Sequence, residues 1–346
     1  MDTITTYVVV SIVKIVIALF VLLTTVAYLT WLERKLVGRI QNRWGPSRVG
    51  PFGLLQPLAD GLKFIFKEDI TPPHVYKPLY LLAPMLSLTL ALTSIAVIPI
   101  GNWVTVGRIH TPLQITDVNI GLLIILGITS MGVYGVALAG WSSNNKYSLL
   151  GGLRASAQMV SYEISLGLAL IGVLILSGSF SLRDIVDAQG GAWWGVIPRW
   201  NIFKGQIFAF FIYIAAAYAE TNRVPFDLPE AETELVAGYH TEYSSMKFAM
   251  FFMAEYANMV TVACLASLLF LGGWHGPVFG PPVLQYILPV FWFALRVFFF
   301  IFLYIWVRGT LPRFRYDQLM AFGWKVLLPL AIANLVITAL VVGLRA

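Results

Sequence analysis

The chain contains 346 residues, of which 58% are hydrophobic and 12% are charged, and its mean hydropathy is +0.79. Soluble globular chains contain about 25% charged residues, so this composition excludes intrinsic disorder, a nucleic-acid-binding domain and an ordinary soluble enzyme. The only cysteine, Cys264, excludes a disulfide framework, a structural zinc site and a self-contained iron–sulfur cluster. Without a phosphate-binding glycine motif either, any redox or nucleotide chemistry must belong to a partner or a diffusible ligand.

Eight apolar segments are long enough to cross a bilayer as helices, because a hydrocarbon core about 30 Å thick requires about 20 helical residues. The predicted spans are residues 8–31, 79–100, 120–141, 159–177, 202–220, 248–271, 284–307 and 322–344. Their apolar runs are continuous rather than alternating, so strands are excluded. The sequence therefore predicts an all-α polytopic membrane protein that forms a single membrane domain over residues 1–346.

The lysines and arginines lie mainly on one side of these spans, which also accounts for the net charge of +6. The connection after the first span contains Arg34, Lys35, Arg39, Arg43, Arg48, Lys63, Lys67 and Lys77. The connection after the second span contains Arg108 alone, and the one after the sixth contains none. By the positive-inside rule the basic side is cytoplasmic, so both termini are predicted on the periplasmic side. The charge-rich loops and the lack of a transit peptide favour a bacterial inner (plasma) membrane.

The segment between the first two spans is too short and too mixed to cross the membrane. Leu54, Leu58, Leu62 and Ile65 repeat at helical spacing, and polar side chains occupy the opposite face. This pattern predicts an interfacial amphipathic helix over residues 53–66. Such a helix either anchors the protein to lipid or forms one wall of a cavity between the membrane and the cytoplasm.

Ionisable residues inside the predicted spans are few, and such residues usually mark a function or an internal ion pair. They are Lys14, Glu163, Glu220, Glu255, Arg296 and Lys325. Lysines near span ends can extend their ammonium groups to the interface, but the three glutamates enter from the predicted cytoplasmic side. Each glutamate alone could be a protonated structural residue. Together they indicate a proton path, because a carboxyl group in a low-dielectric site can hold and pass a proton near neutral pH.

The connection between the fifth and sixth spans is acidic, in contrast to the other cytoplasmic connections. It contains Asp227, Glu230, Glu232, Glu234 and Glu242. Leu228–Pro229–Glu230 indicates a helix start, with proline in the first turn and acidic groups near the positive N-terminus. Three interpretations stay open: a solvated acidic loop, a cluster that delivers protons to the glutamates in the spans, or, less favoured, a Mg²⁺ or Ca²⁺ site.

Four long segments resemble the H-type membrane subunit of respiratory NADH:quinone oxidoreductase (complex I), whose mitochondrial homologue is subunit 1 of the same enzyme. They are Glu33–Asp69, which begins ERKLVGRIQNRWGP, Gly140–Leu168, Ala219–Tyr256, which begins AETNRVPFDLPEAE, and Arg308–Leu330. The resemblance covers most of the chain, and the first and last spans match mainly by hydropathy. It implies a membrane subunit at the heel of an L-shaped complex, where a quinone chamber opens at the cytoplasmic face.

The resemblance also implies roles for individual residues and partners. Quinone is the implied substrate, and FMN and iron–sulfur clusters are expected only in partner subunits. The implied partners are the terminal-cluster subunit, the adjacent 49-kDa-type subunit, and small membrane subunits toward an antiporter-like pumping arm, with no nucleic acid. The implied quinone-chamber residues are Glu33, Arg34, Arg43, Asp60, Phe226 and Asp227. The implied proton-channel residues are Glu163, Glu220, Glu230, Glu232, Glu234 and Glu255, with Arg223 and Arg296 as basic partners.

Two other functions fit parts of the pattern. A membrane subunit of an energy-converting hydrogenase-type complex would share the acidic spans, but the first cytoplasmic loop and the amphipathic helix argue against it. A stand-alone cation/proton antiporter would often show inverted repeats with broken helices. Pro84, Pro99, Pro289 and Pro329 form no obvious repeat of that kind.

Overall fold

The structure is a computed structural model that describes residues 3–106, 109–193, 197–227 and 236–344. Most of these residues are helical. The helices are α1 (Thr3–Ile40), α2 (Gln56–Phe66), α3 (Lys77–Ser94), α4 (Gly121–Ser142), α5 (Lys146–Ser177), α6 (Leu182–Asp187), α7 (Ile207–Glu220), α8 (Ser245–Phe270), α9 (Pro282–Thr310), α10 (Tyr316–Phe322) and α11 (Leu328–Gly343). Short 3-10 turns occur at Pro51–Gly53, Ile95–Val97 and Gly238–His240, and a π-helical turn, Gly323–Leu327, joins α10 to α11.

Seven helices in the described part of the chain are long and apolar enough to cross a membrane, and they coincide with seven predicted spans. They are Tyr7–Ile40, Lys77–Val97, Gly121–Ser142, Lys146–Ser177, Ser245–Phe270, Leu284–Thr310 and Tyr316–Gly343. Several of these helices are longer than the apolar segments predicted from the sequence. Helix α1, for example, continues to Ile40 through charged residues that have a high helix propensity. The class predicted from sequence, a polytopic helical membrane protein, is confirmed.

The remaining predicted span, residues 202–220, is a shorter helix. Helix α7 has 14 residues, which is about 21 Å at 1.5 Å per residue and less than a hydrocarbon core of about 30 Å. The residues before it form turns. Gly205 adopts a φ of +98°, and the side chain of Asn201 donates a 2.8 Å hydrogen bond to the carbonyl oxygen of Leu269. The prediction of eight full-length spans is therefore not confirmed.

Two short antiparallel hairpins lie in connections between helices, where the sequence had predicted no strands. Strand β1 (Trp103–Val106) pairs with β2 (Ile109–Pro112), and β3 (Ala192–Trp193) pairs with β4 (Ile197–Pro198). The exclusion of strands concerned the apolar segments and is correct there, whereas the all-α class did not include these short strands in the loops. Hairpins this short carry too few residues to show an alternating pattern.

Helix α8 is the centre of the bundle. Within the protein, 72% of its apolar stretch is buried, against 11% for α1, and α8 contacts α1, α3 and α9. Buried alanines along α8, including Ala254 and Ala257, allow the neighbouring backbones to approach closely. A polar residue on α8 is therefore held inside the protein rather than against lipid.

Helix α2 occupies most of the segment for which an amphipathic helix is predicted, and it follows the turn at Pro51–Gly53. Its apolar side chains Leu58, Leu62 and Ile65 are exposed. In the chain alone, α2 therefore presents an uncovered apolar face. Its location in the membrane interface stays a prediction.

The loops that follow α6 and α8 are joined by one buried glutamine. Gln189 Nε2 donates to the carbonyl oxygens of Ile185 and Leu268, at 3.1 and 2.7 Å. Its Oε1 accepts from the backbone N–H groups of Asn201 and Gly272, at 3.2 and 3.0 Å. All four hydrogen-bonding positions of this amide are filled, which fixes the two loops relative to each other.

His275 and Asp187 extend the contact between these loops, with Nε2 and Oδ1 3.7 Å apart. Burial lowers the pKa of His275, and the carboxylate of Asp187 opposes that shift only in part. Burial likewise raises the pKa of Asp187 against the opposing effect of His275. Desolvation therefore outweighs the attraction in both groups, and the pair contributes little as an ion pair.

This lowered histidine pKa predicts a pH-dependent stability. The pKa of His275 is lower in the folded chain than in the unfolded chain, so at pH values between the two the unfolded chain binds more protons. The contribution of His275 to stability is therefore complete above the ordinary histidine pKa and is lost as the pH falls. We expect the thermal midpoint of the solubilised protein to fall more in the wild type than in His275→Gln between about pH 7.5 and about pH 5.5. Equal decreases in both proteins would contradict the expectation.

Candidate functional site

A buried cluster of charged side chains joins α1, α8, α9 and the segment after α7. Glu33 of α1 is only 6% exposed. Its Oε1 lies 3.5 Å from Nη1 of Arg223 and also contacts Nη1 of Arg308. Its Oε2 accepts a 2.6 Å hydrogen bond from the hydroxyl group of Tyr256. Two cations and a hydroxyl donor thus surround one buried carboxylate, as buried charges require.

Arg223 connects this carboxylate to a second one. Its Nη2 lies 3.8 Å from Oε2 of Glu255, and its guanidinium carbon is 4.1 Å from the ring centroid of Tyr256. The hydroxyl group of Tyr239 donates a 3.3 Å hydrogen bond to the other oxygen of Glu255. Because Glu255 and Tyr256 are consecutive on α8, one helix supplies both the second carboxylate and the ring that supports Arg223.

A small polar cavity of about 30 Å³ lies next to Glu255 and extends to Glu220. Asn222 and Asn258 also line it. About 10–15 Å³ is enough for one water molecule, and these side chains offer it several hydrogen-bond partners. Water can therefore bridge the two carboxyl groups.

Glu163 is a third carboxyl group, close enough to Glu220 to affect it electrostatically. Glu220 lies within hydrogen-bonding reach of Thr129 and within electrostatic range of Glu163. The hydroxyl group of Ser130, next to Thr129 on α4, donates to Oε1 of Glu163. Thus α4, α5, α7 and α8 together position three carboxyl groups in sequence, which are Glu255, Glu220 and Glu163.

The turn that carries Arg223 is fixed by a buried amide. Gln158 of α5 donates from Nε2 to the carbonyl oxygens of Ala219 and Phe226, at 2.8 and 2.9 Å, and lies 3.1 Å from Oδ1 of Asn222. These acceptors precede and follow Arg223 in the chain. Gln158 is therefore a positioning residue for both Glu220 and Arg223.

Replacing Gln158 by leucine is expected to destabilise this turn. The variant keeps the volume of the side chain but leaves the carbonyl groups of Ala219 and Phe226 without their donor, at a cost of about 1–3 kcal/mol. The thermal midpoint of the solubilised protein measures the effect. Gln285→Leu, at an exposed position of α9, is the matched control. Equal midpoints in the two variants would exclude the positioning role.

Of the six residues implied for a quinone chamber, Glu33 belongs to the charged cluster, and four others form two separate contacts. Arg34 and Asp60 link α1 to α2 through an ion pair of 2.7 Å, while the nearby Arg43 is exposed and donates to Gln41. Phe226 and Asp227 instead contact the segment between α9 and α10. Phe226 packs against Phe314 with ring centroids 5.7 Å apart, and Asp227 pairs with Arg313 at 3.1 Å.

Among the described residues, Arg296 contacts none of the glutamates. It lies twelve residues before Arg308 on the same helix, a separation of about 18 Å. Its Nη1 and Nη2 donate to the carbonyl oxygens of Gly273 and His275. The structure thus brings Glu33, Arg223 and Glu255 together and places Arg296 elsewhere. Glu230, Glu232 and Glu234 lie outside the described residues.

The sequence did not single out Arg308, Tyr256 or Gln158. Arg308 counted only as a basic residue at the end of a span, and Tyr256 is one of 15 tyrosines. The adjacency of Tyr256 to Glu255 was the one available signal. Gln158 lies one residue before the predicted span at residues 159–177, so it did not stand out as a polar residue inside an apolar run.

Comparison with known proteins gives a consistent result. The family model described as NADH dehydrogenase matches residues 13–339. A protein of Koribacter versatilis, named as an H subunit of NADH-quinone oxidoreductase, is 71% identical over 100% of both chains. Proteins of Solibacter usitatus and Geobacter sulfurreducens, also named as H subunits of NADH-quinone oxidoreductase, are 51% and 53% identical. The alignments cover 99% of both chains in the first case, and 96% of this chain and 94% of the relative in the second.

The fold and site define a polytopic helical membrane protein with a series of carboxyl groups inside its bundle. Such groups are costly in a membrane and are typical of proton-handling proteins. The matches extend over nearly the whole length of the chain. The chain belongs to the NADH dehydrogenase family, in agreement with the resemblance seen in its sequence.

Proposed function

We propose that this chain is the H-type membrane subunit of a proton-pumping NADH:quinone oxidoreductase in a bacterial inner membrane, with both termini on the periplasmic side. In this proposal it forms part of the quinone chamber and of the acidic route that couples quinone reduction to proton translocation. The names of the relatives support the enzyme complex. The observation that carries the route is the connected series from Glu33 through Arg223 and Glu255 to the cavity at Glu220.

The chamber part of the proposal rests on the two contacts at the predicted cytoplasmic ends of the helices. Arg34 and Asp60 fix α2 against α1, and we assign the quinone entrance, with Arg43, to this side. Phe226 and Asp227 are held by Phe314 and Arg313, and we assign them to the wall of the chamber. Quinone is the substrate, and the electrons come from FMN and iron–sulfur clusters of partner subunits.

The coupling follows from charge balance. Two-electron reduction of a quinone takes up two protons and leaves a charge imbalance in the cavity until they arrive. Arg223 lies between two carboxylates, so a change in charge at Glu33 alters its attraction to Glu255. A proton then passes from Glu255 through water in the cavity to Glu220 and on to Glu163, while Glu230, Glu232 and Glu234 supply the entrance to the route. Arg296 has no part in this route.

Membership in the complex is tested by affinity purification of the tagged chain from its native membrane, followed by quantitative mass spectrometry. We expect flavin-binding and iron–sulfur subunits, including the terminal-cluster and 49-kDa-type subunits, and small membrane subunits in fixed ratios. The same tag on an unrelated polytopic protein is the control. Recovery of the chain alone, active as a cation/proton antiporter, or recovery with hydrogenase-type subunits, would exclude the proposal.

A further inference from the structure

A groove of about 930 Å³ lies on the outer surface of α9, and its lining shares no residue with the charged cluster around Glu33. One wall is a stripe of α9 side chains that recur every three or four residues from Trp292 to Phe302. This stripe is about 15 Å long. The other wall is formed by the loops that follow α6 and α8. Such a volume is within the range of small-molecule sites.

One end of the groove is positively charged. The guanidinium group of Arg296 is fixed by the carbonyl oxygens of Gly273 and His275, and its central carbon is 4.8 Å from the ring centroid of Trp200. Within the described residues, no carboxylate forms an ion pair with Arg296. The carbonyl groups orient the cation without neutralising it, so its charge is available to an anion.

A histidine, two further cations and two carboxylates lie near this end of the groove. His275 lines the groove, and its buried Nε2 has no hydrogen-bond partner among the described residues, although Asp187 lies 3.7 Å away. Arg199 and Lys204 belong to the adjoining loop, and Asp184 and Asp187 are the acidic groups of the neighbouring helix α6. Cations therefore exceed anions at this end among the described residues.

The other end of the groove is apolar. Leu295, Phe298, Phe299 and Phe302 line it and keep between 39% and 53% of their surface exposed. These residues belong to a helix long and apolar enough to span a membrane. A cationic end that continues into an open apolar channel is complementary to an amphiphile with an anionic head and a hydrocarbon tail.

We propose that this groove binds an anionic phospholipid, with its phosphate at Arg296 and His275 and one acyl chain along Phe299 and Phe302. A neutral quinone head could accept a hydrogen bond at the positive end but has no negative charge to pair with the cation. A zwitterionic phospholipid would bring an ammonium group toward cations that are already in excess. The inference is independent of the acidic route, because the two sites share no residue.

The test uses the whole complex reconstituted with lipids that carry a photoreactive diazirine on one acyl chain. Phosphatidylglycerol and phosphatidylcholine with the same chains are compared, and labelled peptides are located by mass spectrometry. We expect phosphatidylglycerol to label residues 291–302 several-fold more than phosphatidylcholine. Equal labelling by the two lipids would overturn the proposal, and so would no labelling, since a partner subunit would then cover the groove.

Variants separate the two ends of the site. Arg296→Gln should reduce the preference for phosphatidylglycerol to parity. Phe299→Ala should lower labelling, whereas Phe291→Ala should not, because both phenylalanines are about half exposed on α9, at 53% and 51%, but only Phe299 lines the groove. If Arg296→Gln fails to fold, two other comparisons still test the proposal. They are phosphatidylglycerol against phosphatidylcholine, and Phe299→Ala against Phe291→Ala. Equal effects of Phe299→Ala and Phe291→Ala would exclude a specific site.

Discussion

Glu255→Gln is expected to lower proton translocation by roughly 10²-fold in a complex that still assembles, the lower end of what a positioned proton-transferring side chain contributes. The amide keeps the size of the side chain and can still accept a hydrogen bond from Tyr239. It cannot take up or release a proton. It also removes the negative charge 3.8 Å from Arg223, so the charge at Glu33 is no longer transmitted toward the cavity.

The measurement compares two activities of membrane vesicles that contain the variant complex. NADH oxidation with an artificial electron acceptor reports the partner subunits that carry the flavin, and we expect it to be unchanged. NADH-driven acidification of the vesicle lumen reports proton translocation, and we expect it to be nearly lost. Glu68→Gln is the matched control, because it makes the same chemical change at an exposed glutamate.

A second variant separates proton exchange from side-chain shape. Glu255→Asp keeps an ionisable group but shortens the side chain by one methylene. We expect partial acidification, since water can extend into the space released beside the cavity. Wild-type rates of both quinone reduction and acidification in a fully assembled Glu255→Gln complex would show that the acidic route does not pass through Glu255.

Much of the fold could be predicted because membrane spans carry their own signal. A continuous apolar run of span length has few alternatives, so α3, α4, α8 and α9 lie close to the predicted segments. Glu255 could be singled out by the same logic, as an ionisable residue inside such a run. The predicted span at residues 202–220 differed because hydropathy does not detect the turns at Asn201 and Gly205 that shorten α7.

The contacts within the site could not be predicted from the sequence as fully as the fold. Glu33 and Arg308 are 275 positions apart in the chain, and no local periodicity reports a contact between helices. Depth in the membrane suggested that Arg296 accompanies the glutamates, but depth does not give the direction in which a side chain points. Arg296 is instead held by backbone carbonyl groups. Every residue has such a group, so this contact cannot be inferred from the residue types in the sequence.

Arg223→Ala is expected to be the most destabilising single change in the charged cluster. Its guanidinium group is the cation between Glu33 and Glu255, at 3.5 and 3.8 Å, and its side chain is only 9% exposed. Removing one partner of a buried ion pair costs about 3–5 kcal/mol, because the remaining charges stay desolvated. We therefore expect a large decrease in the thermal midpoint of the solubilised complex, or loss of assembly.

Arg315→Ala provides the matched control for that measurement. Arg315 also forms an ion pair, at 3.3 Å with Asp317, but its side chain is 77% exposed. Exposed pairs contribute at most about 1 kcal/mol, so this variant should remain near the wild type. Arg223→Lys should recover only part of the stability, because an ammonium group cannot reach two carboxylates and stack on Tyr256 as the planar guanidinium does.

The cause of the loss can be isolated by removing the stranded charges as well. If the destabilisation arises from uncompensated carboxylates, then Glu33→Gln and Glu255→Gln should restore part of the thermal midpoint when combined with Arg223→Ala. If it arises only from lost packing against Tyr256, those two changes should give no recovery. Breaking a desolvated ion pair should lower the thermal midpoint more than breaking an exposed one. Equal midpoints for Arg223→Ala and Arg315→Ala would therefore contradict a buried ion-pair bridge at Arg223.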